Sequence, residues 1–323
     1  MNELSNVNRR RAETYLTRRI DPQARYADLL DFPRNFAIET VNTCNARCAM
    51  CTIQDWDRPT VRMSDALFQK IADELAANRA VIKNVSLYKD CEPLIDKKLP
   101  QKIALLKKMR VPNVGISTNV SLLDEDRGAA ILEAGIDKVL LSIDSLKKDV
   151  YEKIRVRLDF ETVIQNALNF IRLRDRINPA TSIRVRMIDM PENHGEWEEF
   201  RDFWQPKLKT GDICDFRRYH NWGGQLSGYH GSDEIAHTIP CIVHWSNFII
   251  FADGRVPLCD VDFNNRYPTG NLNESSIREL WASAIMQNRR NIHLAGDRSE
   301  NAMCKTCNVW DDRDAWNAAS CTE

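Results

Sequence analysis

From residue 36 onward, apolar positions fall into short β-rich runs that alternate with longer amphipathic stretches. The runs 36–41, 84–88, 113–118, 138–143, 182–188 and 213–217 read as strands, each short and bounded by polar breaks. Helical periodicity fills the gaps near 64–78, 98–109, 125–134, 160–174 and 195–203, with Ser64 and Asp124 as N-caps and Gly135 as a C-terminal stop. This alternation predicts an α/β fold with a parallel sheet and crossover helices, as an open doubly wound sheet or a barrel, whole or partial. Upstream, residues 5–20 predict a helix whose basic face (Arg9, Arg10, Arg11, Arg18, Arg19) is solvated.

The rhythm stops after residue 218. A polar connector bearing Gly223, Gly224, Gly228 and Gly231 leads to the apolar run 248–258, which Asp253-Gly254 interrupts in the manner of a hairpin turn. A short helix over 276–287 follows. No internal repeat or low-complexity tract is present.

Composition narrows the classes. With 45 Lys+Arg against 46 Asp+Glu the net charge is −1, which argues against a nucleic-acid or anionic-membrane partner held by bulk electrostatics. No apolar run is long enough to span a bilayer, and the N-terminus is polar and arginine-rich, so the expected compartment is the reducing cytoplasm. Ten cysteines there call for a role other than disulfides.

Cys44, Cys48 and Cys51 stand as C-x3-C-x2-C directly after the first predicted strand. Zinc sites usually draw four ligands from two knuckles, whereas three thiolates on one loop leave one iron of a cubane cluster open. This motif in this place resembles the signature of the radical S-adenosylmethionine (radical SAM) superfamily, although Met50 stands where relatives commonly have an aromatic residue. The resemblance implies a partial (β/α)6 TIM-like barrel and a 4Fe-4S cluster whose open iron binds S-adenosyl-L-methionine. It also implies reductive cleavage to a 5′-deoxyadenosyl radical, with an electron donor such as flavodoxin or ferredoxin.

Other strand ends extend the resemblance. Cys91-Glu92-Pro93 corresponds to the family's Gly-Glu-Pro motif, with cysteine in place of glycine. Ser117, Thr118 and Asn119 end the third predicted strand, and Ser142 and Asp144 end the fourth. The resemblance implies that Glu92, Pro93 and these five residues bind the cofactor; active sites of parallel α/β barrels lie at strand C-terminal ends. The stretch from Tyr151 to Arg155 also resembles the family but carries no assigned role.

Cys241, Cys259, Cys304 and Cys307 bracket the predicted hairpin. On spacing alone, zinc and a fully ligated iron-sulfur cluster both stay open. With Gly254, Gly270-Asn271-Leu272 and Trp281 between them, the four cysteines resemble the SPASM and Twitch extension of radical SAM enzymes. The shorter Twitch form fits, because Cys321 alone follows Cys307, and the separations resemble those of enzymes of the 2-deoxy-scyllo-inosamine dehydrogenase type. One auxiliary 4Fe-4S cluster on these four cysteines is implied. The expected division is an N-terminal helical extension (1–35), a radical SAM partial barrel (36–218), a connector (219–240) and an auxiliary-cluster domain of hairpin plus helix (241–323).

Three fates of a substrate radical remain in view. An alcohol becomes a ketone if the radical loses a proton and gives its electron to the auxiliary cluster; an epimer forms if a thiol returns hydrogen from the opposite face; a ribosomal peptide becomes crosslinked. Cys91, Cys214 and Cys321 are the thiols left for a catalytic role, with Cys91 the foremost donor candidate. Asp189, Glu192 and His194 are candidate bases. Arg218, Tyr219, His220, Asn221, Trp222 and Tyr229 offer groups that suit a sugar or aminocyclitol. The six histidines show no metal-ligand spacing. The expected function is oxidation of an alcohol in a polar small molecule, with epimerisation or peptide modification as alternatives. A non-catalytic zinc or electron-transfer protein is the competing class.

Overall fold

The alternation of β-rich and amphipathic runs becomes a parallel sheet. In the computed structural model the strands are β1 (Asn35–Ile38), β2 (Asn84–Ser86), β3 (Val114–Thr118), β4 (Lys138–Ser142), β5 (Ser182–Asp189), β6 (Ile213–Arg218) and β7 (Asn247–Ile250). They lie in the order β6-β5-β4-β3-β2-β1-β7, so the sheet is open and has one strand more than the six predicted. The ladders from β2 through β6 are all parallel. The structure describes residues 3–226, 237–309 and 313–319. By internal contacts the chain divides into one unit of residues 37–219 with 251–253 and a second of residues 1–36, 220–250 and 254–323.

In the first unit the crossover helices include Asp65–Ala77, Leu99–Lys108, Glu125–Glu133, Phe160–Ile177 and Trp197–Trp204. Ser64 and Asp124 cap as predicted, accepting from the backbone N–H of Leu67 and Arg127. Gly135 takes a φ of 85°, the left-handed turn that ends the third helix. Ile183, Val185 and Met187 of β5 are buried, and Phe216 of β6 meets Trp197 of the last helix with ring centroids 5.0 Å apart. The alternate positions Arg184, Arg186, Asp215 and Arg217 therefore face the other side of the sheet, in line with Ser142.

The second unit holds the N-terminal helix, Glu3–Ile20, together with the C-terminal cysteines. Tyr15 and Leu16 are buried in a core with Leu29, Ile239, Trp245 and Ala319. Arg11 of the basic face lies 4.2 Å over the Trp316 ring and donates to the Trp316 carbonyl at 3.0 Å, so this cation is a packing element. The predicted hairpin does not form as a ladder. Gly254 does turn the chain, with φ 90°, but β7 joins the large sheet while β8 (Arg255–Val256) pairs with β9 (Gly270–Asn271). The predicted helix over 276–287 forms as two, Ile277–Trp281 and Ala284–Leu294, because Ser283 caps the second one.

Candidate functional site

The three cysteines after β1 lie on one loop that neighbouring elements hold from several sides. Ala49 and Arg47 donate their backbone N–H groups to the carbonyls of Ile154 and Val156, and Cys51 N–H closes a turn on Cys48 O at 3.0 Å. Two side chains reach the sulfurs. Arg155 Nη1 is 3.5 Å from Cys48 Sγ, and Asn119 Nδ2 is 3.7 Å from Cys44 Sγ. Burial pushes the Cys44 and Cys51 thiols up to about 11, so without a metal they stay protonated. A cationic cluster reverses that balance, and the donors on Cys44 and Cys48 suit a thiolate.

Arg155 is anchored by Asp144, whose second oxygen accepts the Ile188 N–H at 2.8 Å. Both carboxylate oxygens of Asp144, which is fully buried, are thus engaged by the protein, and its action on the cysteine loop runs through Arg155. The Tyr151–Arg155 stretch held this residue in plain view. Its spacing gave no sign that the guanidinium would reach a sulfur.

Glu92 follows β2 and is 1% exposed. It accepts from Thr118 Oγ1 at 2.8 Å, Leu94 N–H at 3.1 Å and Asn119 N–H at 2.8 Å. Burial outweighs these donors and raises its pKa to about 7. Such a carboxylate gains from any positively charged donor that enters beside it. Next in the chain, Pro93 begins a buried turn of 3-10 helix. Thr118 Oγ1 also accepts the N–H of Val120, a fully buried β-branched residue held at φ 69°. That left-handed backbone costs of order 1–3 kcal/mol and aims Asn119 at the cysteine loop. Asn166 Nδ2, which the sequence did not single out, supports it by donating to Val120 O at 3.0 Å. Ser117 and Ser142 meet hydroxyl to hydroxyl at 3.1 Å.

The leftover thiols separate. Cys91, beside Glu92, is pushed well above the usual thiol range by burial and then by the Glu39 carboxylate, so it keeps its S–H. Glu39 itself is engaged in a buried two-pronged pair with Arg58 at 2.9 and 2.8 Å. Cys214 lies on the helix-covered face of β6, where burial raises it to about 11 and Arg201 of the outer helix acts on it. Cys321 lies outside the described residues, as does Tyr229. Of the bases, His194 is exposed and 3.2 Å from Asp189, whereas Glu192 carries an oxygen shielded from water with no hydrogen-bond partner.

In the second unit Cys241, Cys259, Cys304 and Cys307 line one cavity with Val261, Met303, His244, His293 and Arg298. Burial and then a neighbouring cysteine raise the pKa of three of them, Cys241 next to Cys307, Cys259 next to Cys304, and Cys304 next to Cys307. Four thiols that repel one another as thiolates fit a metal centre. Arg298, 3% exposed, adds a positive charge and donates to Cys307 O at 2.8 Å. His293 Nδ1 accepts the Cys241 N–H at 3.1 Å, and ligand atoms of His244, His293 and Cys304 all lie within 4.8 Å of one another. Histidine spacing in the sequence concealed this convergence. His220, Asn221 and Trp222 also belong here: Asn221 N–H donates to Asn308 Oδ1 and Thr306 Oγ1 donates to Gly223 O, so this segment of the connector braces the C-x2-C knuckle. A Cβ on Gly223 would stand 2.9 Å from Met303.

The radical SAM superfamily matches residues 38–203. The chain belongs to the radical SAM superfamily. An iron-sulfur cluster-binding domain, SPASM, matches residues 241–308. The protein is thus a radical SAM enzyme with an auxiliary-cluster domain, and its cofactors are S-adenosylmethionine and 4Fe-4S clusters. Among curated relatives, the probable GTP 3′,8-cyclase of Methanocaldococcus jannaschii is 26% identical over 198 residues, 61% of this chain and 62% of that one. The GTP 3′,8-cyclase of Chlorobaculum tepidum is 31% identical over 164 residues, 50% of this chain and 46% of that one. The chain thus spans less than two thirds of the length of these relatives. Among solved structures, BtrN in complex with AdoMet and 2-DOIA superposes with a TM-score of 0.60 at 20% identity, covering 86% of this chain and 93% of that one. Streptococcus suis SuiB bound to precursor peptide SuiA gives 0.67 at 15% identity, covering 87% and 72%. At these identities the likeness establishes the fold. No helix among the described residues is long and apolar enough to cross a membrane.

Proposed function

We propose that this enzyme oxidises an alcohol of a polar small molecule to a ketone. When bound, the cofactors supply a 5′-deoxyadenosyl radical that removes one hydrogen atom and, at the four-cysteine site, a one-electron acceptor; the remaining proton leaves to a base. Convergence of all four cysteines on one cavity carries this reading, since a fully ligated cluster has no open iron for substrate and is suited to electron transfer. The protein's own residues bind and position. Cys44, Cys48 and Cys51 hold the first cluster, while Arg155 and Asn119 donate to their sulfurs. Glu92 receives the methionine ammonium, and Asn119 and the Ser117–Ser142 pair present hydroxyl and amide groups at the strand ends. Glu192, with its unpartnered oxygen, is the base.

The second reading, epimerisation, is favoured by one feature, the protonated Cys91 thiol beside Glu92. Anaerobic turnover in deuterated water separates the two. A product two hydrogens lighter is expected. An unchanged formula with one solvent deuterium at a stereocentre would overturn dehydrogenation in favour of epimerisation, and a crosslinked peptide would overturn both.

A further inference from the structure

The face of β5 and β6 turned away from the helices carries three guanidinium groups and one carboxylate. Register places Arg186 beside Ser142 on one side and Asp215 on the other, with Arg184 two residues before and Arg217 two residues beyond. Arg186 takes Asp215 in a two-pronged pair, Nε to Oδ1 at 3.0 Å and Nη2 to Oδ2 at 2.9 Å. Arg184 Nε reaches Asp215 only at 3.7 Å and, though shielded from water, makes no hydrogen bond. The Arg217 guanidinium, on an exposed residue, has no hydrogen-bond or ion-pair partner among the described residues. Its surroundings hold its pKa below the ordinary arginine value, through desolvation first and then the push of Arg186, against the pull of Asp215. The phenol of Tyr88, just past β2, also acts on Arg217, although three strands separate β2 from β6.

Three fixed positive charges against one negative leave an excess of about two. Like charges stand side by side here, one donor shielded from water is unsatisfied, and Arg217 is exposed, so an anion arriving from solvent can reach the arginine cluster. A phosphate group answers it in charge, about −1.5 to −2 near neutral pH, and in shape, because guanidinium forks match phosphate oxygens two at a time. From these observations we infer that Arg184, Arg186 and Arg217 bind a phosphate group of the substrate, so that the polar small molecule is a phosphoester or diphosphate-linked compound. This inference rests on the small-molecule reading above. It speaks against an aminocyclitol, whose ammonium would meet the same excess of positive charge.

Calorimetric titration of the cluster-loaded protein tests it, unreduced and saturated with S-adenosylmethionine, using pyrophosphate, inorganic phosphate and acetate in turn. Pyrophosphate is expected to bind one to one, more tightly than acetate and without displacing S-adenosylmethionine. Arg217→Gln, which breaks no bond within the fold, is expected to weaken it at least about tenfold, or about 1.4 kcal/mol. Arg184→Gln should do likewise, while Arg172→Gln, on an outer helix, leaves binding unchanged. Iron content and melting temperature show that each variant is folded. Equal binding by wild type and Arg217→Gln overturns the inference, as does acetate binding as tightly as pyrophosphate or competition with S-adenosylmethionine for the same site. Formation of 5′-deoxyadenosine by the reduced wild-type enzyme is read separately: cleavage without pyrophosphate binding defeats this inference alone, and pyrophosphate binding with a ketone-free product defeats the dehydrogenase reading alone.

Discussion

The two cysteine sites solve the same coordination problem in opposite ways. The first takes three sulfurs from eight consecutive residues and adds an arginine tied to a carboxylate, Arg155 with Asp144. The second gathers four sulfurs from distant parts of the chain and adds Arg298, which donates to the carbonyls of Ile239 and Cys307. A local loop is geometrically able to leave a corner open, and the cation that reaches its Cys48 sulfur, Arg155, is paired with Asp144. The second offers enough sulfurs to close every corner, and Arg298, hydrogen-bonded to carbonyl groups, lines the same cavity, an arrangement that would favour the reduced, more negative state of a cluster held there.

Removing the ligands of either site breaks the comparison most sharply. The reconstituted protein is expected to hold about eight irons, two cubanes' worth. Cys44→Ala/Cys48→Ala/Cys51→Ala should retain about four irons and form no 5′-deoxyadenosine. Cys259→Ala/Cys304→Ala should also lose about four irons yet still cleave S-adenosylmethionine without completing product. Iron analysis and chromatography of the nucleoside check both. Stoichiometric zinc in the wild type, or cleavage that depends equally on both sites, would remove the distinction.

The cations come next. Asp144→Asn leaves Arg155 buried without its counter-charge and should cost roughly 3–5 kcal/mol. Arg298→Gln removes charged hydrogen bonds to carbonyls and should cost roughly 1.5–3 kcal/mol. Anaerobic thermal melts of the two variants give the ranking; an equal or reversed order would show that the carboxylate is not what distinguishes the first site.

How much of each site was legible follows from how it is built. Cys44, Cys48 and Cys51 are neighbours in the chain, so their spacing reported their chemistry directly, and period-two and helical patterns placed them after a strand. Asp144 also drew notice, as a polar strand end. What it holds was invisible, since Arg155 reaches Cys48 through a helix the hydrophobic pattern did not mark, Lys148–Ile154. Spacing marked the second set as a metal site but left zinc and iron-sulfur open, which family resemblance narrowed; the approach of His244 and His293 was invisible, because nothing local links Cys241 to His293 or Cys304. The same limit explains the seventh strand of the sheet. Residues 247–250 are an apolar run ahead of Asp253-Gly254 that reads as half a hairpin, and only tertiary pairing decides that they join the large sheet.

The last effect, spread over a pH range, concerns the charge that a bound cofactor would complete. Glu92 has its pKa raised by burial from 4.5 to about 7, so between those values the unfolded chain releases a proton that the folded one keeps. Unfolding therefore becomes easier as pH rises from about 4.5, and the loss is complete above about 7, amounting to about 3 kcal/mol. Glu92→Gln, neutral throughout, lacks this term. In the cluster-loaded, cofactor-free protein, the melting temperature of wild type relative to Glu92→Gln should fall by roughly 5–10 °C between pH 5 and pH 8. Adding S-adenosylmethionine at pH 8 should recover most of it in the wild type alone, because its ammonium favours the ionised carboxylate. Parallel pH slopes in the two proteins would mean that Glu92 is already ionised in the folded state. The first site would then resemble the second in carrying its charges ready-made, without waiting for a ligand.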